Sequence, residues 1–208
     1  MKFPIITNKG ENTGREATLT DAIFEAPPHQ HLMHRAVVNM RNRQRQGTAS
    51  TKARGEVQAS TRKLAPQKGR GRARVGSASA GSRRGGGACF GPRPHGYDAK
   101  MNKREKPRAA ESAFAVKHAE RQLSFMEQFQ FEAPATSKYV DMIKQLGFAN
   151  ERVLWVTLDT FRNLVLSARN VPKNKVARVD QLNTYDLLHA TRVIILEEAL
   201  PAIQKKFA

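Results

Sequence analysis

The C-terminal half of the chain alternates between two spacings of its apolar residues. One is a nearly continuous apolar run, best seen in Arg152–Leu158, which is typical of a strand covered on both faces. The other repeats every three or four positions, like one face of a helix, and includes Tyr139, Val140, Ile143 and Leu146. Strands that alternate with helices in this way indicate an α/β fold with a parallel sheet and helices on its faces.

The same two patterns locate the elements between residues 108 and 207. Predicted strands occupy Leu123–Met126, Arg152–Leu158, Lys175–Val179 and Val193–Leu196. Predicted helices occupy Arg108–Arg121, Thr136–Leu146, Thr160–Ala168, Thr184–His189 and Glu197–Phe207. We expect Gly147 to end the second of these helices, since glycine adopts the left-handed conformation there without strain. Asn183 is expected to cap the fourth helix, and Trp155 is expected in the core.

The first 40 residues also have the pattern of folded sequence. Phe3–Thr7 and Glu16–Thr20 are predicted to be short strands, and a helix is expected after Pro27 and Pro28. The apolar face of that helix would consist of Leu32, Met33, Ala36, Val37 and Met40.

Between Arg41 and Lys100 the periodic pattern is lost. The large apolar residues there are Val57, Leu64, Val75, Phe90 and Tyr97. Residues 41–108 contain 11 of the 14 glycines, and so little apolar surface does not offset the entropy of ordering the backbone. We therefore predict a three-layer, Rossmann-like α/β body with helices on both faces, formed by residues 1–46 and 97–208. Residues 47–96 would be inserted after its first helix as a long, extended basic loop.

Charge is concentrated in the same stretch. The chain has 36 Lys and Arg against 18 acidic residues, and residues 41–108 alone contain 19 of the former and 3 of the latter. Such an excess predicts a polyanionic partner, although charge alone does not separate RNA from DNA or from an anionic membrane surface.

The single cysteine, Cys89, fits a reducing compartment, and no apolar run is long enough to span a membrane. We expect a soluble intracellular protein.

The residue types in the basic stretch favour RNA. The planar guanidinium of arginine binds phosphate through two hydrogen bonds and stacks on bases, and glycine lets the backbone approach a nucleic acid closely. Segments of this composition commonly become ordered on binding RNA. The side chains expected to bind RNA are Arg41, Arg43, Arg45, Lys52, Arg54, Arg62, Lys63, Lys68, Arg70, Arg72, Arg74, Arg83, Arg84, Arg93, Lys100, Lys103, Arg104 and Arg108.

Other interpretations of the stretch are a disordered basic linker and an Arg-Gly-Gly tail. Folded sequence on both sides favours an inserted arm over a tail. An α/β enzyme with a basic substrate arm would need a phosphate-binding loop or a set of catalytic carboxylates, and the sequence has neither. His29, His31 and His34 lack a cysteine or a suitably spaced carboxylate, so we interpret them as surface residues. No catalytic residue, metal site or cofactor is predicted.

Several motifs, taken in order, resemble the family of large ribosomal subunit protein four. They are Arg45–Thr48 (RQGT), Lys52–Val57 (KARGEV), Gln67–Ser77 (QKGRGRARVGS), Arg84–Gly87 (RGGG), Phe90–Pro94 (FGPRP), Leu166–Val171 (LSARNV) and Asn183–Leu188 (NTYDLL). The similarity covers essentially the whole chain. Two departures fall close together: Lys63–Gly69 reads KLAPQKG instead of the family's usual KPWRQKG, and Arg70 replaces a usual threonine.

This resemblance implies a non-enzymatic structural protein of the cytoplasmic large ribosomal subunit, which binds 23S-type rRNA early in assembly. It implies an α/β body on the outer face and a long loop that reaches the narrow part of the peptide exit tunnel, beside large-subunit protein twenty-two and the nascent peptide. The loop tip would contain Arg62, Lys63, Gln67, Lys68, Gly69 and Arg70. No membrane partner and no homo-oligomer are expected. The alternative is a free RNA-binding regulator of its own ribosomal-protein operon, or an RNA chaperone.

Overall fold

The chain folds into two compact units. The computed structural model describes residues 2–19, 21–24, 27–129 and 131–207. One unit, here called the body, combines Met1–Arg41 with Lys100–Ala208, and the other, here called the arginine-rich unit, is Asn42–Ala99.

The body contains a six-stranded mixed sheet, which confirms the α/β class. Its strands are β1 (Lys2–Ile6), β2 (Asn12–Thr18), β3 (Leu123–Met126), β4 (Val153–Thr157), β5 (Asn174–Arg178) and β6 (Arg192–Leu196), in the order β2-β1-β3-β6-β4-β5. The expectation of a wholly parallel sheet was wrong at one edge, because β2 pairs antiparallel with β1. Only five residues separate these two strands, and so short a connection permits a hairpin but no parallel crossover. The other neighbouring strands are all parallel.

Seven α-helices lie in the described parts of the chain. They are α1 (Asp21–Phe24), α2 (Gln30–Arg43), α3 (Glu105–Ala119), α4 (Thr136–Gln145), α5 (Arg162–Ala168), α6 (Thr184–His189) and α7 (Leu200–Phe207). Two 3₁₀ turns, Val179–Gln181 and Glu197–Ala199, precede α6 and α7 respectively.

Alternate residues of the strands contribute to two separate apolar clusters. Ile195 of β6 belongs to a cluster with Phe114 of α3 and Ile203 of α7, whereas its neighbour Ile194 belongs to a cluster with Ile143 of α4. Successive side chains of a strand point to opposite faces of a sheet, so the central strands are covered on both sides. This explains why their sequences are almost continuously apolar.

Most predicted elements are present within a few residues of their expected ends. Gly147, two residues after the end of α4, has a φ of +79°, and the Asn183 side chain accepts a hydrogen bond from the Asp186 amide at the start of α6, as predicted. The final helix begins later than expected, at Leu200, after its 3₁₀ turn. The expected strand Glu16–Thr20 lies earlier, within Asn12–Thr18, and Thr20 is outside the described residues.

Two features of the N-terminal region were not predicted. The four-residue helix α1 is too short to show a helical repeat, yet its Ile23 and Phe24 are fully buried in the core. On α2, Met33 is the one buried member of the expected apolar face, and the other four are half-buried.

Candidate nucleic-acid interface

Hydrogen bonds between its two ends hold the arginine-rich unit together. After Arg43, which ends α2, the next residue in a helix or strand of the described chain is Glu105. The amides of His95 and Ala88 donate to the carbonyl oxygens of Gly47 (3.1 Å) and Lys52 (2.9 Å). Residues 47–52 therefore run beside residues 88–95 in the opposite direction.

A small buried serine pair lies inside this unit. Ser77 and Ser79 are 3% and 1% exposed, and their hydroxyl oxygens are 3.1 Å apart. The Arg54 guanidinium donates to the Ser77 hydroxyl at 3.3 Å, and the Gly87 amide donates to the Ser79 carbonyl at 3.1 Å. Sequence reasoning missed both serines, because small polar residues in a glycine-rich stretch carry no burial signal.

Gly87 permits a close internal approach of the backbone. A Cβ atom there would lie 2.4 Å from the Arg54 nitrogen and 2.5 Å from the Ala53 carbonyl carbon. No side chain fits at these distances, so the position requires glycine. The glycines were expected to allow close contact with nucleic acid, and at Gly87 the close contact is with the unit's own chain.

The two acids of the unit each have a basic partner. Asn42–Ala99 contains 13 Lys and Arg but only Glu56 and Asp98 as acids. Glu56 forms an ion pair with Arg93 at 2.7 Å, and Asp98 forms one with Arg43 at 3.4 Å. The Arg93 guanidinium, followed by the Ala53 amide, holds the pKa of Glu56 below its usual range. Acids of the unit therefore neutralise only two of its cations.

All eighteen side chains predicted to bind RNA are exposed. Most of those in the unit have no acidic side chain within 4 Å among the described residues: Arg45, Lys52, Arg54, Arg62, Lys63, Lys68, Arg70, Arg72, Arg74, Arg83 and Arg84. Arg41, Lys100, Lys103, Arg104 and Arg108 belong to the body. Exposed, unpaired guanidinium and ammonium groups on a glycine-rich backbone are suited to binding successive phosphates.

The residues expected at the loop tip are close in sequence and all exposed. Lys63 donates a hydrogen bond to Gln67, and the Leu64 amide donates to the Gly76 carbonyl at 3.0 Å. Leu64, which stands at one of the two departures from the family pattern, has 48% of its surface exposed. The neighbouring Ala65 is buried. This part of the chain therefore has one side packed against protein and one side exposed.

The described residues show neither a metal site nor a membrane-spanning helix. Among the described residues, no three His, Cys, Asp or Glu side chains are placed to hold a metal ion. His29, His31 and His34 are all exposed. In the parts of the chain that the structure describes, no helix has both the length and the apolar character needed to cross a membrane.

Comparison with known proteins identifies the family. The sequence model of the "Ribosomal protein L4/L1 family" matches residues 17–206. The chain is 40% identical over 207 residues to "Large ribosomal subunit protein uL4" of Amoebophilus asiaticus, covering 100% of this chain and 99% of that protein. It is 41% identical to the protein of the same name from Cytophaga hutchinsonii, covering 98% of each. The Flavobacterium johnsoniae protein of that name is 38% identical over the full length of both chains. The chain therefore belongs to the ribosomal protein L4/L1 family.

Proposed function

We propose that this chain is a structural constituent of the large ribosomal subunit and binds large-subunit rRNA. As a member of its family it is a structural protein and not an enzyme. The observation that carries the rRNA-binding proposal is the composition of the arginine-rich unit, which contains 13 basic residues and only two acids. Both acids are paired, and every cation predicted to bind RNA is exposed.

Binding would rest chiefly on phosphate contacts. Each phosphate neutralised by Lys or Arg releases counterions, so affinity falls as salt rises. If about ten phosphates are neutralised, log K should fall against log salt with a slope of about −7 to −9. Arg41 and the group Lys100, Lys103, Arg104 and Arg108 would add contacts from the body, next in sequence to the two ends of the unit.

We further propose that residues 47–96 act as an extended loop on a three-layer α/β body of residues 1–46 and 97–208. In the subunit this loop would penetrate the rRNA early in assembly. Its tip, around Arg62, Lys63 and Gln67–Arg70, would line the peptide exit tunnel beside large-subunit protein twenty-two and contact the nascent peptide. The exposure of these residues and the sequence resemblance support this proposal. The protein would then reside with ribosomes in the cytoplasm.

Co-sedimentation with ribosomal subunits tests the proposal. The tagged full-length chain should sediment with large subunits in a sucrose gradient and remain with them through washes in moderate salt. A chain that stays at the top of the gradient would refute the structural role. If that free chain also bound a leader mRNA specifically, the alternative of an operon regulator would replace the proposal.

A further inference from the structure

Phe90 is the most exposed large apolar side chain in the described structure. Its exposure is 104% of the reference value, compared with 48% for Leu64 and 39% for Val38. No other described ring or cation lies against it, whereas the ring of Tyr97 in the same unit is covered by the Arg45 guanidinium at 3.5 Å. Both faces of the Phe90 ring are therefore open, although phenylalanine is normally among the most buried residue types.

The backbone on either side of Phe90 is held in place. Two residues before it, the Ala88 amide donates to the Lys52 carbonyl at 2.9 Å, and two residues after it the Pro92 carbonyl accepts from the Thr51 amide at 3.1 Å. The next residue, Gly91, packs so closely on Thr51 that a Cβ atom would lie 1.9 Å from its hydroxyl oxygen. Phe90 thus sits at a constrained position of the chain, with its ring exposed.

The surroundings of Phe90 favour a flat, anionic ligand over an apolar protein surface. Gly91 and Pro92 follow it, and Lys52, Arg83 and Arg84 are exposed basic residues of the same unit with no acidic partner among the described residues. Protein interfaces are built on contiguous apolar patches of several hundred Å², whereas Phe90 is a single exposed ring in a unit with 13 basic residues. An unpaired nucleotide combines a flat base, which stacks on aromatic rings, with a phosphate, which binds lysine or arginine.

We propose that Phe90 is a base-stacking residue, which holds one unpaired rRNA base against its ring while neighbouring cations bind the adjoining phosphates. This inference rests on the rRNA-binding function proposed above and adds to it a contact that depends on the ring and not on charge. It assigns the contact to a single side chain, so substitution of that side chain can test it.

The test measures binding of the full-length chain to purified large-subunit rRNA across a range of salt concentrations. Phe90→Leu, which keeps an apolar side chain but removes the ring, should weaken binding about 5- to 150-fold, the equivalent of ~1–3 kcal/mol for one stacked base. Its salt slope should match that of the wild type, because no cation is lost. Phe90→Trp should bind at least as well as the wild type.

Two controls separate this contact from general effects. Phe161→Leu removes a half-buried ring from the body, outside the arginine-rich unit, and should leave rRNA affinity unchanged. Arg70→Gln removes one charge and should reduce the steepness of the salt slope by about 0.7–0.9. Wild-type affinity for Phe90→Leu, or weak binding by both Phe90 variants, would overturn the stacking role while leaving rRNA binding intact.

Photo-crosslinking in assembled subunits tests the partner directly. A photoreactive phenylalanine analogue at position 90 should crosslink to rRNA. A crosslink to a ribosomal protein instead would overturn the proposal in favour of a protein contact. Failure of the wild-type chain to bind rRNA at all would remove the proposed function together with this inference, and that result is distinct from the failure of Phe90→Leu alone.

Discussion

Two buried side chains and a half-buried one, from three different elements, form a hydrogen-bonded chain on one face of the sheet. The Trp155 indole N–H of β4 donates to the Tyr139 hydroxyl of α4 at 2.8 Å, and that hydroxyl donates to the Asn174 side-chain oxygen of β5 at 2.8 Å. Trp155 and Tyr139 are both fully buried. Burial therefore raises the pKa of the Tyr139 phenol, which stays neutral and able to donate throughout the physiological range.

We expect Tyr139→Phe to lower the free energy of unfolding by ~1–3 kcal/mol, because it leaves the buried Trp155 N–H without an acceptor. Denaturant unfolding followed by tryptophan fluorescence measures the change. Tyr185→Phe is the matched control: the structure shows no hydrogen bond from the Tyr185 hydroxyl to any described residue, so the expected change is within ~0.5 kcal/mol. Equal losses of unfolding free energy in the two variants would contradict a stabilising role for the hydrogen-bonded chain.

The ion pair between Glu56 and Arg93 makes one part of the arginine-rich unit sensitive to acid. The pKa of Glu56 is held below its ordinary value of 4.5, first by the Arg93 guanidinium and then by the Ala53 amide. Because the folded pKa is the lower one, the contribution of this carboxylate to stability is present above about pH 4.5 and is lost as the pH falls through the folded pKa.

Arg93→Gln should raise the pKa of Glu56 back toward 4.5, because it removes the larger of the two stabilising contacts. A pH titration of the Glu56 carboxyl carbon by NMR measures this shift. Arg83→Gln removes the same charge from an exposed arginine with no acidic partner among the described residues, and it should leave the Glu56 pKa nearly unchanged. An identical Glu56 pKa in the wild type and Arg93→Gln would show that the ion pair does not form in solution.

At the scale of elements, the arginine-rich unit depends on close backbone packing instead of a hydrophobic core. Its ends pair through isolated hydrogen bonds such as Ala88 to Lys52, and Gly87 fits directly against Ala53 and Arg54. The unit has few buried apolar side chains, of which Ala65 is one. A single added methyl group at a close contact should therefore disturb it more than the same change elsewhere in the unit.

Gly87→Ala should open this pairing. Forced overpacking typically costs ~1–3 kcal/mol, which corresponds to roughly 5- to 150-fold faster hydrogen exchange at the Ala88 amide if exchange occurs by local opening. Gly76→Ala is the matched control, because a Cβ atom at Gly76 meets nothing within 4 Å and its φ is not in the left-handed range. Unchanged Ala88 protection in Gly87→Ala would mean that the backbone there adapts without cost.

At the scale of the whole molecule, charge is divided unevenly between the two units. The arginine-rich unit has 13 basic residues and 2 acids, whereas the remaining 150 residues share 23 basic and 16 acidic residues. A polyanion should therefore be bound mainly through the arginine-rich unit, and equal charge changes in the two units should have unequal effects.

Replacing Arg70, Arg72 and Arg74 together by Gln should make the salt slope of rRNA binding less steep by about 2–3, since each phosphate contact contributes about 0.7–0.9. Lys138, Lys144 and Lys205, replaced together by Gln, provide the matched control, because these exposed lysines of the body carry the same total charge. Filter binding across a salt series measures both slopes. Similar reductions in the two triple variants would indicate non-specific attraction to the net charge.

Local patterns in the sequence determined most of the elements and the position of the charge. The strands β3, β4 and β6, the ends of α4 and α6, and the burial of Trp155 all follow from the spacing and type of neighbouring residues. The concentration of arginine and glycine in residues 41–108 is likewise a property of the chain alone. Local conformation depends on residues a few positions apart, and composition is read directly from the sequence. Both could therefore be predicted without the tertiary structure.

Only the tertiary structure decided features that depend on residues far apart in the chain. These include the antiparallel edge formed by β2, the contact between Gly87 and Arg54, the burial of Ser77 and Ser79, and the full exposure of Phe90. In the sequence, Phe90 resembles any other apolar residue, and hydrogen bonds to residues about 40 positions away fix the backbone on either side of it. Such contacts produce no periodic pattern in the sequence, because the partner of each residue depends on how the chain folds back and not on the residues next to it in sequence.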